Sequence, residues 1–432
     1  MTRPHWQPNR RQLRVALGAL FAIALAFVGV ECLKNALANV ASVHNEFAWD
    51  LAVDHQTAVG YKTGVNPFTE EGAVRLGLRQ KFGHSGSGHP PTTSFWTLPL
   101  TSLTLTEANV AWAALTVVIL LLELVGIFLE FGWPHPLGGA AVVLAFLLSW
   151  SALRYHLRLG QFSAAIGFLY FVSWRAGRRG NQWLCGVALG LACTMKLFPA
   201  VIGIFLLVTR RWRAAIAMTA SYLAVAMFMT AHYGFASWRF FLEHQPPIVQ
   251  SWLGSIQNQS IHGIVLHFFR PVCTAFSAPL TAATWIAMAI SLSALGMATW
   301  FARGQSTAKR SNFDLTFSLF AALSVVTSQW AWEHYVVIYL VPFLVLVDNL
   351  FATYRRGDLV RAGATALVLV GIVWAWQVDV MTKVVLRNEV LSGHTEQHFK
   401  LHVYDAINWL PGVVVCALLF LHVNRSRESG KP

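Results

Sequence analysis

The stretch "QWLCGVALGLACTMKLFPAVIGIFLLVTRRWR", residues 182–213, decides how the chain is read. Its apolar part, 182–208, follows the basic cluster Arg175, Arg178 and Arg179 and runs into a second one, Arg210, Arg211 and Arg213. Basic loops stay on the cytoplasmic side of a membrane, so a segment bounded by two of them must enter and come back. At about 20 residues per crossing it is too short for two full spans. "CTMKLFPA" interrupts it, with Lys196 and Pro199 near the middle. A broken or re-entrant hairpin is expected, because irregular backbone at membrane depth survives only where protein or a watery cavity covers it.

The rest of the chain fits that setting. Of 432 residues, 56% are hydrophobic and 12% charged, and the mean hydropathy is +0.52; these values belong to a polytopic membrane protein. Apolar windows lie near 15–37, 108–131, 137–154, 161–175, 213–233, 280–302, 313–330, 335–353, 361–379 and 405–423. The expected fold is therefore all-α, a single domain over 1–432 with about 10–12 transmembrane helices. The N-terminal segment has a basic head and an apolar body too long for a signal-peptide core, and is read as a retained first helix. The net charge of +13 sits in short clusters between apolar segments, which sets topology and argues against a nucleic-acid surface. Both termini are expected in the cytoplasm of a cell whose plasma (inner) membrane holds the chain, with outer loops at about 38–107, 234–279 and 380–404. Cysteines occur singly, without a C-x-x-C pair or a metal-like cluster. No Gly-rich phosphate cradle follows a strand pattern, so nucleotide chemistry has no support.

Polar residues able to do chemistry concentrate in the expected outer loops. The first opens with "FAWDLAVDHQTAVGYKTGVNPF", residues 47–68. It is expected to form a short surface helix over 51–63, with Asp50 at its start, where capping competes with a catalytic role. Asp54 shares the face of Asp50 but is expected to be a solvated bystander. Lys196, in the broken hairpin, either serves a cavity or pairs with a buried acid such as Glu123 or Glu31. Arg154 and Arg158 either add charge to a site or reach for lipid headgroups. His334 is an interfacial residue or an anion ligand, and Asn258 and Gln259 either fold their loop or meet a sugar. "GHSGSGHPP", 83–91, reads as a flexible linker. From a different class, a secondary transporter or lipid flippase would use Lys196, Glu31 and Glu123 as ligands.

Several short motifs fall in one order along the chain. Asp50 is followed by Gly64, Asn66, Pro67 and Phe68; then come "HPPTTSFWTLPL" (89–100), "GQFS" (160–163), "KLFP" (196–199), Asn258-Gln259-Ser260 and "SQWAWEHY" (328–335). In this order the sequence resembles glycosyltransferase family 87, polytopic enzymes of the GT-C class. Three positions depart from the family pattern: His89 stands for a tyrosine, Ser163 for an asparagine and Gln329 for a proline. The resemblance implies transfer of a sugar, mannose ahead of arabinofuranose, from a polyprenyl monophosphate to a hydroxyl of a glycolipid or polysaccharide, with inversion, on the outer face. It implies Asp50 as the base, with Glu333 as the alternative. His334, Lys196, Arg158 and Arg154 would hold the donor phosphate, and Asn258, Gln259, Gln161, Glu333 and Trp332 the sugar or acceptor. No cofactor, metal or nucleic acid is implied, since Asp50 and Asp54 do not form a D-x-D pair. A chelator should therefore leave sugar transfer unchanged; activity lost with chelator and restored by a divalent ion would refute this.

Overall fold

The computed structural model describes residues 49–67, 69–78, 89–239, 241–243, 258–269, 281–303, 310–376 and 411–423, with Lys34 and Leu253. The expected first span, Glu31, Phe68, most of the 83–91 linker, Trp252 and the 380–404 loop lie outside these residues.

All regular structure among the described residues is helical. In chain order the helices are α1 Trp49–Thr63, α2 Glu70–Arg75, α3 Leu105–Phe131, α4 Pro136–Leu148, α5 Ser151–Leu159, α6 Ser163–Arg178 and α7 Gln182–Met195. There follow α8 Val201–Val208, α9 Trp212–Tyr233, α10 Ile261–Phe269, α11 Thr281–Arg303, α12 Arg310–Val326, α13 Leu340–Arg355 and α14 Leu359–Trp376, with α15 at Pro411–Val423. Short 3-10 turns cover Pro91–Thr93, Phe198–Ala200 and Glu333–Tyr339. The chain is an all-α multi-pass membrane protein.

Sequence chemistry accounts for the element ends. α3 starts with a capping box, in which the Thr104 hydroxyl accepts from the Glu107 N–H while Glu107 accepts from the Thr104 N–H. With 27 residues it is about 40 Å long, more than the hydrocarbon core requires. Four helical stretches among the described residues are long and apolar enough to cross, five if α4 and α5 count as one bent span. α7, α8, α14 and α15 are apolar but shorter, and the expected first span lies outside the described residues. The expected straight span at 137–154 is corrected: α4 and α5 meet at 79°. α5 cannot continue α4 through lipid, since it carries Arg154 and Arg158 one turn apart on its exposed side and Leu153, His156 and Leu157 on its buried side.

The stretch 182–208 forms the expected broken hairpin. α7 ends at Met195, Lys196 is extended, and the chain resumes as helix at Phe198. Its two ends return to one place, where Arg211 Nη1 donates to Gly177 O at 3.2 Å. An ion network occupies that end. Glu130 at the foot of α3 accepts from Arg175 (3.2 Å) and Arg179 (2.8 Å), and Arg178 pairs with Asp314 at 3.2 Å. The break is sealed at the opposite end by the "HPPTTSFW" segment. Thr92 Oγ1 donates to Thr194 O (2.8 Å), Thr93 Oγ1 to Met195 O (3.0 Å) and Trp96 Nε1 to Thr194 Oγ1 (2.9 Å). These contacts take carbonyls that the end of a helix leaves unpaired.

α1 packs against this same end. It begins at Trp49, so Asp50 lies inside its first turn, and Gly64 at φ 71° ends it. Gly160, at φ 66°, turns the chain between α5 and α6; a Cβ there would sit 2.4 Å from Leu51 Cβ. Both the left-handed backbone and the close approach require glycine. Gly160→Ala should destabilise the protein by about 2–4 kcal/mol from strain and overpacking, seen as a lower unfolding temperature in detergent; an unchanged temperature would contradict the packing described.

Candidate active site

The corner that Gly160 creates puts Gln161 between two charges from distant parts of the chain. Its Nε2 donates to Asp50 Oδ2 on α1, and its Oε1 accepts from Lys196 Nζ at 2.9 Å. Lys196 Nζ also donates to the Tyr335 hydroxyl at 2.9 Å and lies 4.6 Å from the centre of that ring. Phe198 stacks on the far side of Tyr335 at 5.3 Å. Carboxylate, amide, ammonium and phenol thus form one connected line. An ammonium has three N–H groups, and two of them are engaged among the described residues.

Lys196 therefore does not pair with Glu123. Glu123 is fully buried, and neither of its carboxylate oxygens has a hydrogen-bond partner among the described residues. Glu31 lies outside those residues.

Two buried imidazoles flank the line. His334 on the Glu333–Tyr339 turn is 2% exposed and His156 on α5 is 1% exposed, with ring centres 6.2 Å apart. None of their four ring nitrogens has a hydrogen-bond partner among the described residues. Buried polar atoms normally find partners, and a ligand bearing several oxygens would supply them. Arg154 and Arg158 ride on the exposed side of α5. Glu333 is buried and Trp332 half-buried at the entry to the His334 turn.

Asn258 does not sit as a sugar ligand. Its Nδ2 donates to Leu253 O and Gln329 O, both at 3.0 Å, and its Oδ1 accepts from the Ser260 and Ala331 N–H groups, both at 3.1 Å. Every donor and acceptor of the amide is occupied. The expected sugar contact gives way to a structural one: Asn258 clamps 329–331, helped by Gln259 N–H to Ala331 O at 2.6 Å and Ser260 Oγ to Gln329 O at 3.0 Å. The strap fixes the segment that leads into His334 and Tyr335. The Gln259 side chain stays half-buried.

Asp54 is corrected from solvated bystander to buried acid. It has no exposed surface, and His89 Nδ1 lies 3.0 Å from its Oδ2 and 3.2 Å from its Oδ1. Lengthwise spacing could not show this, because His89 arrives from 35 residues away. Tyr335 was visible in the sequence only as the end of the "SQWAWEHY" motif.

Burial pushes the Asp50 carboxyl above the ordinary carboxylate range, opposed by the charges of His89 and Lys196 and by the Gln161 hydrogen bond, and reinforced by Asp54. A carboxyl that holds its proton more tightly when folded costs stability as pH rises from the ordinary range through its folded value. Asp50→Asn should therefore unfold at a higher temperature than wild type at neutral pH, the difference vanishing below the ordinary carboxylate range. The opposite pH trend in the unfolding temperature would contradict the burial of this group.

Residues 89–328 match the model of glycosyltransferase family 87. A curated relative, the polyprenol-phosphate-mannose-dependent alpha-(1-2)-phosphatidylinositol pentamannoside mannosyltransferase of Mycolicibacterium smegmatis, is 29% identical over 204 residues, covering 44% of this chain and 45% of the relative. The chain thus spans less than half the length of that relative. Gln161 and Lys196 lie inside the family match; Asp50 and Tyr335 lie outside it and join through the contacts above.

Proposed function

The chain belongs to glycosyltransferase family 87, and from that premise we propose that it transfers mannose, ahead of arabinofuranose, from a polyprenyl monophosphate to a hydroxyl of a glycolipid or polysaccharide. The observation that carries the reading is the line Asp50–Gln161–Lys196–Tyr335, which holds a carboxylate and an ammonium a single amide apart. The relative, by its name, takes polyprenol-phosphate-mannose and acts on a phosphatidylinositol mannoside, which supports the donor and a glycolipid acceptor.

In this reading the acceptor hydroxyl attacks the anomeric carbon as Asp50 takes its proton. The bond from that carbon to the phosphate oxygen breaks, and the lipid phosphate leaves with the electron pair. Attack from the side opposite the leaving group inverts the anomeric carbon. Asp50 suits the task because its raised proton affinity makes it a stronger base than an exposed aspartate. The third Lys196 N–H and the His334 ring nitrogens suit the phosphate, whose charge grows as the bond breaks, and Arg154 and Arg158 add positive charge at the rim. Glu333, Trp332, Gln259 and Gln161 remain for sugar or acceptor.

The site lies at the end of the bundle opposite the arginine network. Since basic clusters remain in the cytoplasm, this reading puts the site at the outer face and both termini inside. A transporter would draw on Lys196 and Glu123 together, whereas Lys196 is tied to the Asp50 line.

Purified protein in lipid, given labelled polyprenyl-phosphate mannose and membrane glycolipids, should transfer the sugar. Asp50→Asn should lower turnover by about 10²–10⁴-fold while the protein still retains polyprenyl phosphate. Lys196→Gln should weaken that retention by roughly tenfold or more. Folded wild-type protein that transfers neither mannose nor arabinofuranose to any of a panel of such acceptors would sink the reading.

A further inference from the structure

Asp54 and His89 belong to none of the roles assigned above, yet they are built into the same corner as Asp50. Asp50 and Asp54 lie one turn apart on α1, and Asp54 has no exposed surface. Two enclosed carboxylates so placed oppose each other's ionisation. His89 answers that charge: its Nδ1–H points between both oxygens of Asp54, while the side chain keeps 22% of its surface open. A proton on Nε2 as well makes the contact an ion pair. His89 also lies within electrostatic reach of Asp50.

The placement is held from several directions. Thr97 Oγ1 donates to Asp54 O at 3.1 Å, and Tyr61 OH donates to Pro91 O at 3.1 Å. The next residues, Thr92 and Thr93, bind the hairpin break beside Lys196. The segment carrying His89 is thus tied both to the helix of Asp50 and to the loop of Lys196. A phenol at position 89, the residue type of the family pattern, carries no positive charge to set beside the enclosed Asp54 side chain.

We propose that the Asp54–His89 pair is a positioning pair that holds a cation against Asp50 and sets the pH range over which Asp50 accepts a proton. The inference rests on Asp50 acting as the base. With His89 protonated, Asp50 faces a net-neutral pair on one side and Lys196, through Gln161, on the other. α1 also carries His55 and Tyr61, and α3, which packs against it, starts with Glu107. From α5 come Arg154, Tyr155, His156 and Arg158, and from the Glu333–Tyr339 turn come Glu333, His334 and Tyr335. All stay constant in the variants below, so differences between variants isolate the pair.

The test compares wild type, His89→Gln, His89→Lys and the double variant His89→Gln/Asp54→Asn, in lipid, across pH. One readout is the acid limb of kcat/KM, which reports the base of the free enzyme. The second needs no turnover: the infrared titration of the protonated carboxyl band of Asp50, identified by its loss in Asp50→Asn. His89→Gln should move both midpoints up by about one pH unit, leaving about tenfold less ionised base at a fixed pH below the midpoint. His89→Lys, which restores a cation, should bring the midpoints back toward wild type. The double variant, which removes the acid as well, should also bring them down from the His89→Gln value. A merely structural pair would add damage in the double variant and would not reverse the shift. Midpoints unmoved in His89→Gln, or a double variant whose midpoint is no lower than that of His89→Gln, would overturn the proposal. Wild type that transfers no sugar would instead fail the enzyme reading, and the infrared titration would still decide the pair.

Discussion

An ammonium inside an apolar helix bundle is costly unless oxygens meet its hydrogens. Lys196 meets the Gln161 amide and the Tyr335 hydroxyl, and much of the architecture follows from that need. α7 stops at Met195, and Lys196, extended at the break in 182–208, reaches Gln161. The open carbonyls at that break need donors, and Thr92 and Thr93 after the Pro90–Pro91 step supply them, while Trp96 donates to the Thr194 hydroxyl. Gln161 must stand at a corner to meet both Lys196 and Asp50, and Gly160 makes that corner by taking a backbone conformation, and an approach to Leu51, that no side chain permits.

The opposite end of the bundle is held by a different kind of charge. Glu130 draws Arg175 and Arg179 together, and Asp314 takes Arg178 and the Trp174 N–H. These acids sit on helix ends, so the arginines that set topology also staple α3, α6 and α12. The two ends thus divide the work. One is an ion network of arginines with Glu130 and Asp314; the other holds two imidazoles unmatched among the described residues.

The sequence made the class, the hairpin and most of the active-site line legible, because each left a mark along the chain: a charge cluster, a proline, or a residue type out of keeping with an apolar run. Lys196 stood out as an expensive residue, and Asp50 as an acid beside a helix start. What spacing could not give was who meets whom. Nothing along the chain showed that the two ends of Gln161 bind Asp50 and Lys196, a partnership across 111 residues for the first. Helix lengths also escaped the window count. An apolar window of about 20 residues cannot see that α4 turns by 79° into α5, since the bend is driven by where Arg154 and Arg158 must point.

Asn258 and Asp54 carry the same lesson in opposite directions. Asn258 looked like a ligand because amides suit sugars, but a buried amide must first satisfy itself, and four backbone groups do so. Asp54 looked idle because an acid on a surface helix is ordinarily solvated, but α1 is covered on that side, and an enclosed carboxylate needs a counter-charge. The residue that gives up freedom to the fold and the residue that needs a partner are distinguished by burial. That is why the strap at 258–260 holds 329–331, the segment leading into His334 and Tyr335, while Asp54 stands enclosed one turn from Asp50.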